Sequence, residues 1–418
     1  MASPLDPFLS ANSFVVLDGG LGSELEAQGA DLSDHLWSAS LLVSNPSLIR
    51  ETHLAYYQAG ADVVTSASYQ ASVEGFRRKG IDEGKAKELI LLSVKLAVEA
   101  RDYFWQEHQQ RMLSADVPPL PHQVLSSPHS RSRATDNPKE PGRGSDFGVD
   151  VRLRPLVAAS IGCYGAAQAD GSEYRGDYGA RIGLSGLKEW YRQQLNILVG
   201  ADGVDLFMFE TIPCLEEARA ALSLLEASKE RKTKRRIDFS PRIKAVISVS
   251  CKDSQHLRSG ENLRDFASLI WKRKAAQGSS SGGTFTPPEG LVGVGVNCVS
   301  PTCVKEALQT IAEVAQASVI VPGVESVDDA RPPDIALVAY PNSGEEWDSV
   351  SRKWLPGTGL EGRSCPSGVE EFGRFARDEW WVAGARVIGG CCRTRPAHIA
   401  ELRKALSAAA RDARYQSS

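Results

Sequence analysis

The sequence has few of the residues on which disulfide scaffolds and histidine-rich metal sites depend. It contains eight cysteines and seven histidines among 418 residues. Eight cysteines are too few to form a disulfide scaffold in a chain of this length. The sequence contains no HExxH motif and no pair of CxxC motifs. These absences exclude the common histidine-based hydrolase and zinc-finger patterns.

Long apolar runs and a secretion signal are also missing. Residues 1–25 contain no basic segment followed by an apolar core and a cleavage site. No run of about 18 apolar residues occurs anywhere in the chain. We therefore expect a cytoplasmic protein, whose thiols stay reduced and serve as metal ligands or in catalysis. The formal charge of −4 argues against nucleic acid and anionic membranes as partners, and small molecules are the expected ones.

Eight apolar runs rich in β-branched residues alternate with eight segments that show helical periodicity. The predicted strands are residues 14–17, 62–65, 156–161, 204–209, 243–249, 291–296, 335–339 and 386–388. The predicted helices are residues 47–59, 83–104, 184–199, 215–229, 262–275, 301–317, 369–383 and 396–409. This repetition predicts an α/β fold, a (β/α)8 TIM barrel formed as a single domain by residues 1–418. An open doubly wound sheet is the alternative.

Two segments interrupt the alternation. Residues 109–152 are rich in proline, serine and charge and bury too little apolar surface to fold alone. They predict a long flexible insertion between the second helix and the third strand. Residues 275–290 are rich in glycine and serine, which predicts a second, shorter insertion.

Three cysteines follow strands that lie close together in such a barrel. Cys298 ends the sixth predicted strand, and Cys391 and Cys392 end the eighth, so only one strand separates the two ends. Active sites of parallel barrels lie at the carboxyl ends of the strands. Three thiolates there would suit zinc. Adjacent thiols reach one ion only where the backbone turns, which Gly389 and Gly390 permit.

A set of three cysteines permits more than one role. Three protein ligands leave a position for water or substrate, which is typical of catalytic zinc, whereas structural zinc has four. Buried cysteines also serve as small apolar side chains. One of the remaining cysteines would serve as a fourth ligand in the alternative, a structural zinc site with four protein ligands. The remaining cysteines are Cys163, Cys214, Cys251, Cys303 and Cys365.

Seven short blocks, spread over most of the chain, occur in a characteristic order. They are "LDGGLGSELEAQG" (17–29), "LWSASLL" (36–42), "HLAYYQAGADVVTSASYQAS" (53–72), "GCYGA" (162–166), "FETIPCLEEA" (209–218), "GVNCVSP" (295–301) and "GGCC" (389–392). Together they resemble the homocysteine S-methyltransferase family. The resemblance implies a barrel enzyme that holds Zn²⁺ through Cys298, Cys391 and Cys392. The fourth corner of the metal site would be the sulfur of homocysteine, and the product would be methionine.

The resemblance also implies residues that hold the ends of homocysteine. Asp18 and Glu210 match acidic positions near its amino group. The alternatives are that Asp18 caps a turn and that Glu210 pairs with a structural arginine or lysine. Backbone N–H groups near four residues are expected to receive the carboxylate. These are Gly19, Gly20, Ser66 and Ala67.

Other residues of the matching blocks are assigned less direct roles. Asn297 precedes a predicted ligand and is expected in the substrate site, where it would orient the loop by hydrogen bonds. Trp37 and Tyr164 are candidates to face a cationic methyl donor, with packing as the alternative. His398 is expected to begin the last helix and not to bind the metal.

The blocks "LWSASLL" and "TSASYQAS" are similar to the branch of the family that uses sulfonium donors. This similarity implies S-methylmethionine as the preferred donor and S-adenosylmethionine as a second one. A betaine-dependent enzyme, a zinc-dependent hydrolase and a non-catalytic protein that binds homocysteine or zinc are the alternatives. The sequence does not define the oligomeric state.

Overall fold

The computed structural model describes most of the predicted strands and helices. It covers residues 2–34, 36–115, 152–226, 243–271, 287–288, 290–319, 335–348, 353–355, 358–360 and 368–416. The predicted insertions at 109–152 and 275–290 therefore lie largely outside the described residues. The boundary of the first insertion is wrong at its start, because residues 109–115 continue the preceding helix.

Eight parallel strands form one sheet that closes on itself. They are β1 (Val15–Val16), β2 (Val63–Thr65), β3 (Leu156–Gly162), β4 (Leu206–Ile212), β5 (Ala245–Val249), β6 (Leu291–Asn297), β7 (Ala336–Tyr340) and β8 (Ala385–Ile388). Their spatial order is β1, β8, β7, β6, β5, β4, β3, β2. A parallel bridge between Leu17 and Val63 joins the two edges. The predicted (β/α)8 barrel is confirmed, and the open sheet is wrong.

Helices follow the strands on the outside of the barrel. The α-helices are Asp6–Asn12, Leu21–Ala27, Leu41–Ser44, Pro46–Ala59, Val73–Arg78, Glu83–Ala115, Tyr164–Gln168, Gly179–Leu198, Leu215–Glu226, Leu263–Ile270, Val304–Val319, Val369–Phe375 and Pro396–Gln416. Shorter 3-10 helices occupy Trp37–Ser40, Ser172–Tyr174 and Pro301–Cys303. A π-helix occupies Ala376–Trp380, and Glu346–Asp348 pairs with Lys353–Leu355 as a hairpin. In the part of the chain described here, no helix combines the length and the apolar composition needed to cross a membrane.

Local sequence signals explain both ends of the helix Pro46–Ala59. The side chain of Asn45 accepts a hydrogen bond from the backbone N–H of Leu48 and caps the helix Pro46–Ala59. Gly60, with a φ of 111°, ends that helix in the left-handed region, which glycine adopts at little cost. Side-chain capping satisfies N–H groups that the first helical turn leaves without a partner. These two caps define the bounds of the helix Pro46–Ala59.

The barrel interior is filled by apolar side chains and is covered at its amino-terminal end. The interior cluster includes Val63, Met208 and Val338. Leu5 and Phe8, which flank the start of the helix Asp6–Asn12 before β1, belong to the same cluster. Since this helix packs below the interior, the carboxyl ends of the strands remain the open end of the barrel, where active sites of this fold lie.

Candidate active site

A cavity of about 980 Å³ lies at the carboxyl ends of the strands. It contains most of the residues that the sequence assigns to the site, brought together from β1, β2, β4, β6 and β8. The predicted residues that line it are Asp18, Gly19, Gly20, Trp37, Ser66, Ala67, Glu210, Cys298, Cys391 and Cys392. Asn297 and Tyr164 are not among its lining residues.

Three thiols converge in this cavity. The Sγ atom of Cys392 lies 3.9 Å from that of Cys298 and 4.0 Å from that of Cys391. All three sulfurs lie within 4.8 Å of one another. Zinc–sulfur distances of about 2.3 Å in a tetrahedral site place neighbouring sulfurs about 3.8 Å apart. The donor set and its spacing therefore fit a zinc ion with small adjustments.

The cluster has three members within the described ranges. No fourth cysteine, histidine or carboxylate of those residues joins it. Cys163, Cys214, Cys251 and Cys303 are free cysteines elsewhere in the barrel. Cys365 lies outside the described residues. The described part of the chain therefore offers an incomplete coordination sphere, the arrangement typical of catalytic zinc.

The backbone at the end of β6 turns sharply to present Cys298. Its φ is 51°, a left-handed value that costs energy for a residue with a Cβ atom. Neighbouring groups hold this conformation. The carbonyl of Cys298 accepts hydrogen bonds from Arg258 Nη2 at 3.0 Å and from Ser250 Oγ at 3.2 Å. The strained residue is a metal-ligand candidate, in keeping with the tendency of such strain to occur at functional sites.

A hydrogen-bonded loop presents the two adjacent cysteines. The N–H of Cys392 donates to Asn342 Oδ1 at 3.1 Å. The carbonyl of Cys391 accepts a hydrogen bond from Thr394 Oγ1 at 2.7 Å. Arg393, with a φ of 65°, supplies the left-handed residue of the turn. The loop thus orients both sulfurs toward Cys298.

Gly389 and Gly390 serve this loop in a different way from the one predicted. Neither has a positive φ, so their role is not to supply a left-handed turn. A Cβ atom on Gly389 would lie 2.5 Å from Leu17 Cβ, and one on Gly390 would lie 2.6 Å from Thr394 Cβ. The two glycines allow the end of β8 to pack directly against the end of β1 and against its own loop.

Interactions within the cluster shift the pKa values of its thiols in opposite directions. Hydrogen bonds from Cys391 and Cys392 lower the pKa of Cys298 well below its ordinary value. The same interaction with Cys298 raises the pKa of Cys391. Thiolate is the form that binds metals. The lowered pKa of Cys298 therefore favours the form of this side chain that binds metals.

Two buried carboxyl groups flank the cluster. Asp18 Oδ2 accepts hydrogen bonds from the N–H of Thr65 at 2.8 Å and from its hydroxyl at 3.0 Å. Glu210 accepts a hydrogen bond from Ser160 Oγ. Burial raises the pKa of Asp18 to about 8 and that of Glu210 to about 7. No arginine or lysine of the described residues forms an ion pair with Asp18 or Glu210. Both carboxyl groups are therefore available to pair with a cationic ligand.

The four predicted backbone donors differ in availability. The N–H of Gly20 donates to the carbonyl of Thr394 at 3.1 Å, and that of Ser66 donates to the carbonyl of Ala158 at 2.9 Å. Both are therefore already used. The N–H groups of Gly19 and Ala67 have no hydrogen-bond partner within the described residues. These two remain as donors for a ligand carboxylate.

Asn297 makes hydrogen bonds to residues around the cavity without lining it. Its Oδ1 accepts hydrogen bonds from the N–H of Thr211 and from Ser248 Oγ, and its Nδ2 donates to Thr211 Oγ1, each at 2.8 Å. Thr211 lines the cavity with a φ of 61°. Asn297, the residue before Cys298, thus holds the strained Thr211 in place. These contacts agree with the predicted orienting role and give no contact with the cavity itself.

The predicted aromatic residues occupy different environments. Trp37 lines the cavity. The ring of Tyr164 packs against Tyr178 and Trp190, with centroid distances of 5.3 and 5.6 Å. Packing is the role that the contacts of Tyr164 support, and its donor-site role stays a prediction. His398 lies in the first turn of the last helix, where its Nδ1 accepts a hydrogen bond from the N–H of Arg395 at 3.2 Å.

Several lining residues were not assigned from the sequence. One of them is Glu173, and burial raises the pKa of its carboxyl group to about 7. Gln70 and Tyr69 lie within the quoted block "TSASYQAS", so their position just after β2 was the signal that could have identified them. Glu173 lies in a 3-10 helix far from the end of β3 and gave no such signal. The residues concerned are Tyr69, Gln70, Glu173, Tyr174 and Tyr340.

Comparisons with known proteins all indicate the same family. Residues 15–406 match the family model described as homocysteine S-methyltransferase. Homocysteine S-methyltransferase 1 of Arabidopsis thaliana is 35% identical over 384 residues, which cover 92% of this chain and 90% of that one. Homocysteine S-methyltransferase YbgG of Bacillus subtilis (strain 168) is 34% identical over 400 residues, or 96% of each chain.

Solved structures show the same similarity. The homocysteine methyltransferase MmuM of Escherichia coli, in its oxidized form, has a TM-score of 0.65 and 32% identity, over 96% of this chain and 99% of that one. Its metallated form has a TM-score of 0.63 with the same identity and coverage. The similarity thus extends over nearly the whole length of both chains.

Proposed function

The chain belongs to the homocysteine S-methyltransferase family, and we propose that it transfers a methyl group from a sulfonium donor to the sulfur of homocysteine. The product is methionine, and the preferred donor is S-methylmethionine. The observation that carries this proposal is the convergence of three thiols at the carboxyl ends of β6 and β8. They share a cavity with two unpaired buried carboxyl groups.

We infer that Cys298, Cys391 and Cys392 hold zinc. Three sulfur ligands favour a soft or borderline ion, and zinc is the common choice. The existence of a metallated form of the Escherichia coli enzyme MmuM supports a metal in this chain as well. When bound, zinc would supply Lewis-acid stabilisation of a thiolate near neutral pH, where a free thiol is largely protonated.

The remaining residues bind the two ends of homocysteine. Its ammonium group would pair with Asp18 and Glu210, since a buried ammonium requires charged or hydrogen-bonding partners. Its carboxylate would accept hydrogen bonds from the N–H groups of Gly19 and Ala67. These contacts fix the amino acid so that its sulfur lies at the cysteine cluster.

The chemical step is a displacement at carbon. The homocysteine thiolate, which has lost its proton on binding, donates an electron pair to the methyl carbon and forms a new carbon–sulfur bond. The bond between that carbon and the donor sulfur breaks, and its electron pair stays on the donor, which leaves as a neutral thioether. No proton moves in this step, so orientation and exclusion of water contribute most of the acceleration.

The direct test is methionine formation by the purified chain from homocysteine and each donor in turn. We expect turnover with S-methylmethionine, slower turnover with S-adenosylmethionine and none with betaine. Removal of zinc by a chelator should abolish turnover, and re-addition of zinc should restore it. Turnover with betaine alone would contradict the choice of donor. Methionine formation that persists in a zinc-free sample would contradict the metal assignment.

A further inference from the structure

The peptide groups on both sides of Cys298 are held by neighbouring loops. The N–H of Cys298 donates to the carbonyl of Tyr340, at the end of β7, at 3.3 Å. Its carbonyl accepts hydrogen bonds from Arg258 Nη2 at 3.0 Å and from Ser250 Oγ at 3.2 Å. Because the φ of Cys298 is 51°, its backbone is strained, and such strain persists only where the surroundings enforce it. Arg258 is therefore part of what keeps this metal-ligand candidate in place.

The guanidinium group of Arg258 makes two linked contacts with this turn. Its Nε donates to Ser250 Oγ at 3.1 Å. Ser250 Oγ in turn donates to the same carbonyl of Cys298 that Arg258 Nη2 contacts. A planar guanidinium group presents its N–H donors in a fixed fork. Two donors of this fork therefore define the position of the carbonyl more strictly than one flexible donor would.

The loop after β5 and an aromatic ring hold Arg258 itself. The backbone N–H of Arg258 donates to the carbonyl of Ser250 at 3.1 Å, which folds the loop back onto the end of β5. The next residue, Ser259, donates its N–H to the carbonyl of Pro213 at 3.0 Å. The Cζ atom of Arg258 lies 5.7 Å from the centre of the Tyr174 ring, within the range of a cation–π contact. Contacts outside the cysteine cluster thus place the guanidinium group.

The carbonyl groups of the other two cysteines are held by neutral donors. That of Cys391 accepts a hydrogen bond from the hydroxyl of Thr394 at 2.7 Å. That of Cys392 accepts one from a backbone N–H at 3.1 Å. Arg258 instead brings a cation to the carbonyl of Cys298, and hydrogen bonds from charged donors are stronger than neutral ones. Cys298 is therefore the cysteine of the cluster whose position should depend most on a single side chain.

The charge of Arg258 also suits the site that the three thiolates would form. Three thiolates carry one negative charge more than Zn²⁺ neutralises, and a nearby cation stabilises such an excess in a partly buried site. Within the described ranges, no aspartate or glutamate forms an ion pair with Arg258. Glu261, in the same loop, accepts a hydrogen bond from the N–H of Leu215 at 2.6 Å. The charge of Arg258 is therefore not neutralised by a described carboxylate.

We propose that Arg258 is a positioning residue of the metal site, which holds Cys298 in its strained conformation and contributes a positive charge beside the cluster. This inference rests on the proposed function of the same cavity, in which the three cysteines bind zinc. It assigns to the loop after β5 a role in zinc affinity, although that loop supplies no member of the cluster. Arg258 acts through Cys298 and takes no part in the methyl transfer.

The test measures the zinc affinity of the purified chain by competition with a chromogenic chelator. Arg258→Met removes both donors and the charge, and we expect it to weaken zinc binding roughly ten- to hundredfold, the range for residues that orient metal ligands. Arg258→Lys keeps the charge and a flexible donor, so its affinity should lie between those of Arg258→Met and the wild type. Arg264→Met is the matched control. Arg264 is exposed and forms an exposed pair with Glu313, so its replacement should leave the affinity unchanged.

A second variant separates positioning from a general loss of structure. Ser250→Ala removes the other donor to the carbonyl of Cys298 and should weaken zinc binding by a smaller factor. It decides the question if Arg258→Met does not fold without zinc, as judged by circular dichroism. Wild-type affinity in a folded Arg258→Met chain would overturn the inference, whatever its stability in urea. An Arg258→Lys chain that binds zinc no better than Arg258→Met would overturn the role of the charge.

The wild-type chain distinguishes this inference from the function on which it rests. A wild-type chain that binds no zinc would overturn the metal assignment itself. A wild-type chain that binds zinc but forms no methionine with any donor would overturn the proposed function. In that second case the affinities of the Arg258 variants still decide whether Arg258 positions the metal site.

Discussion

The Sγ atoms of Cys298 and Cys392 lie 3.9 Å apart, although 94 residues separate the two cysteines in the chain. The order of the strands explains this proximity, because only β7 lies between β6 and β8. Each sulfur is presented by a backbone turn at its strand end, with left-handed residues at Cys298 and Arg393. The cluster is therefore a product of topology, and changes to its members or its supports should have distinct effects.

Removal of one thiol should eliminate the metal. We expect Cys298→Ala to lose bound zinc and to reduce methionine formation by at least about a thousandfold, since two cysteines hold the ion too weakly. Zinc content measured by mass spectrometry and methionine formation measured on the same sample check this. Cys303→Ser is the matched control, because Cys303 lies outside the cluster. A Cys298→Ala sample with normal zinc content and activity would refute the ligand assignment.

The pH dependence of homocysteine use should reflect the buried carboxyl groups. Burial raises the pKa of Asp18 to about 8 and that of Glu210 to about 7, so both are largely neutral in the free protein at lower pH. Only the ionised forms pair with an ammonium group. The kcat/KM for homocysteine should therefore rise between about pH 6 and pH 8, by at most about tenfold per unit and per group.

Replacement of one carboxyl group separates its contribution to that profile. Asp18→Asn should lower kcat/KM for homocysteine and remove the part of the rise that lies near pH 8, because the amide does not titrate. Asp265→Asn, at an exposed position, should leave the profile unchanged. A profile for Asp18→Asn that matches the wild type in shape would show that Asp18 does not bind the ammonium group.

Close packing at Gly390 should be necessary for metal affinity. A Cβ there would lie 2.6 Å from Thr394 Cβ, and Thr394 holds the carbonyl of Cys391. Gly390→Ala should therefore weaken zinc binding roughly ten- to hundredfold, as expected when residues that orient metal ligands are disturbed. Competition with a chromogenic chelator measures the affinity. Gly84→Ala, on an exposed helical turn, should leave it unchanged, and equal affinities in both variants would show that the loop tolerates the added methyl group.

A buried ion pair should contribute to stability without affecting chemistry. Arg403 Nη1 lies 2.6 Å from Asp62 Oδ1, with side-chain exposures of 8% and 1%. This contact joins the last helix to the start of β2. Arg403→Met leaves the buried carboxylate without this partner and should lower the free energy of unfolding by about 3–5 kcal/mol. Urea denaturation checks this value.

The neighbouring residue provides the control for that measurement. Lys404 forms an exposed pair with Glu401, with 77% exposure of the lysine side chain. Lys404→Met should change the free energy of unfolding by less than about 1 kcal/mol. The double variant Asp62→Asn/Arg403→Met should recover part of the lost stability, because no unpaired charge remains. Equal losses from Arg403→Met and Lys404→Met would contradict the importance of burial.

Much of the fold was predictable because each element has a local signal. The runs that became β3 and β6 are mainly apolar, and their predicted bounds differ from the observed ones by one residue. The helix predicted at residues 83–104 extends to Ala115, beyond the apolar periodicity that indicated it. The π-helix Ala376–Trp380 also lacked a local signal. Helix ends and irregular turns depend on contacts that periodicity does not encode.

The site was predictable where its residues lie at or shortly after the carboxyl ends of strands. Cys298, Cys391 and Glu210 lie at such positions, and the barrel alone brings them together. Glu173 and Arg258 were missed because contacts between separate loops are a property of tertiary packing. The role of Gly389 and Gly390 was misjudged for the same reason: the need for close approach depends on which neighbour packs against them.

Zinc K-edge X-ray absorption of the purified chain, with and without homocysteine, tests the central claim most directly. We expect three sulfur ligands at about 2.3 Å from zinc in the free protein and four after homocysteine is added. A site that already has four protein ligands and does not change with homocysteine, or one dominated by nitrogen and oxygen, would contradict the proposal that the three cysteines leave one position for the substrate sulfur.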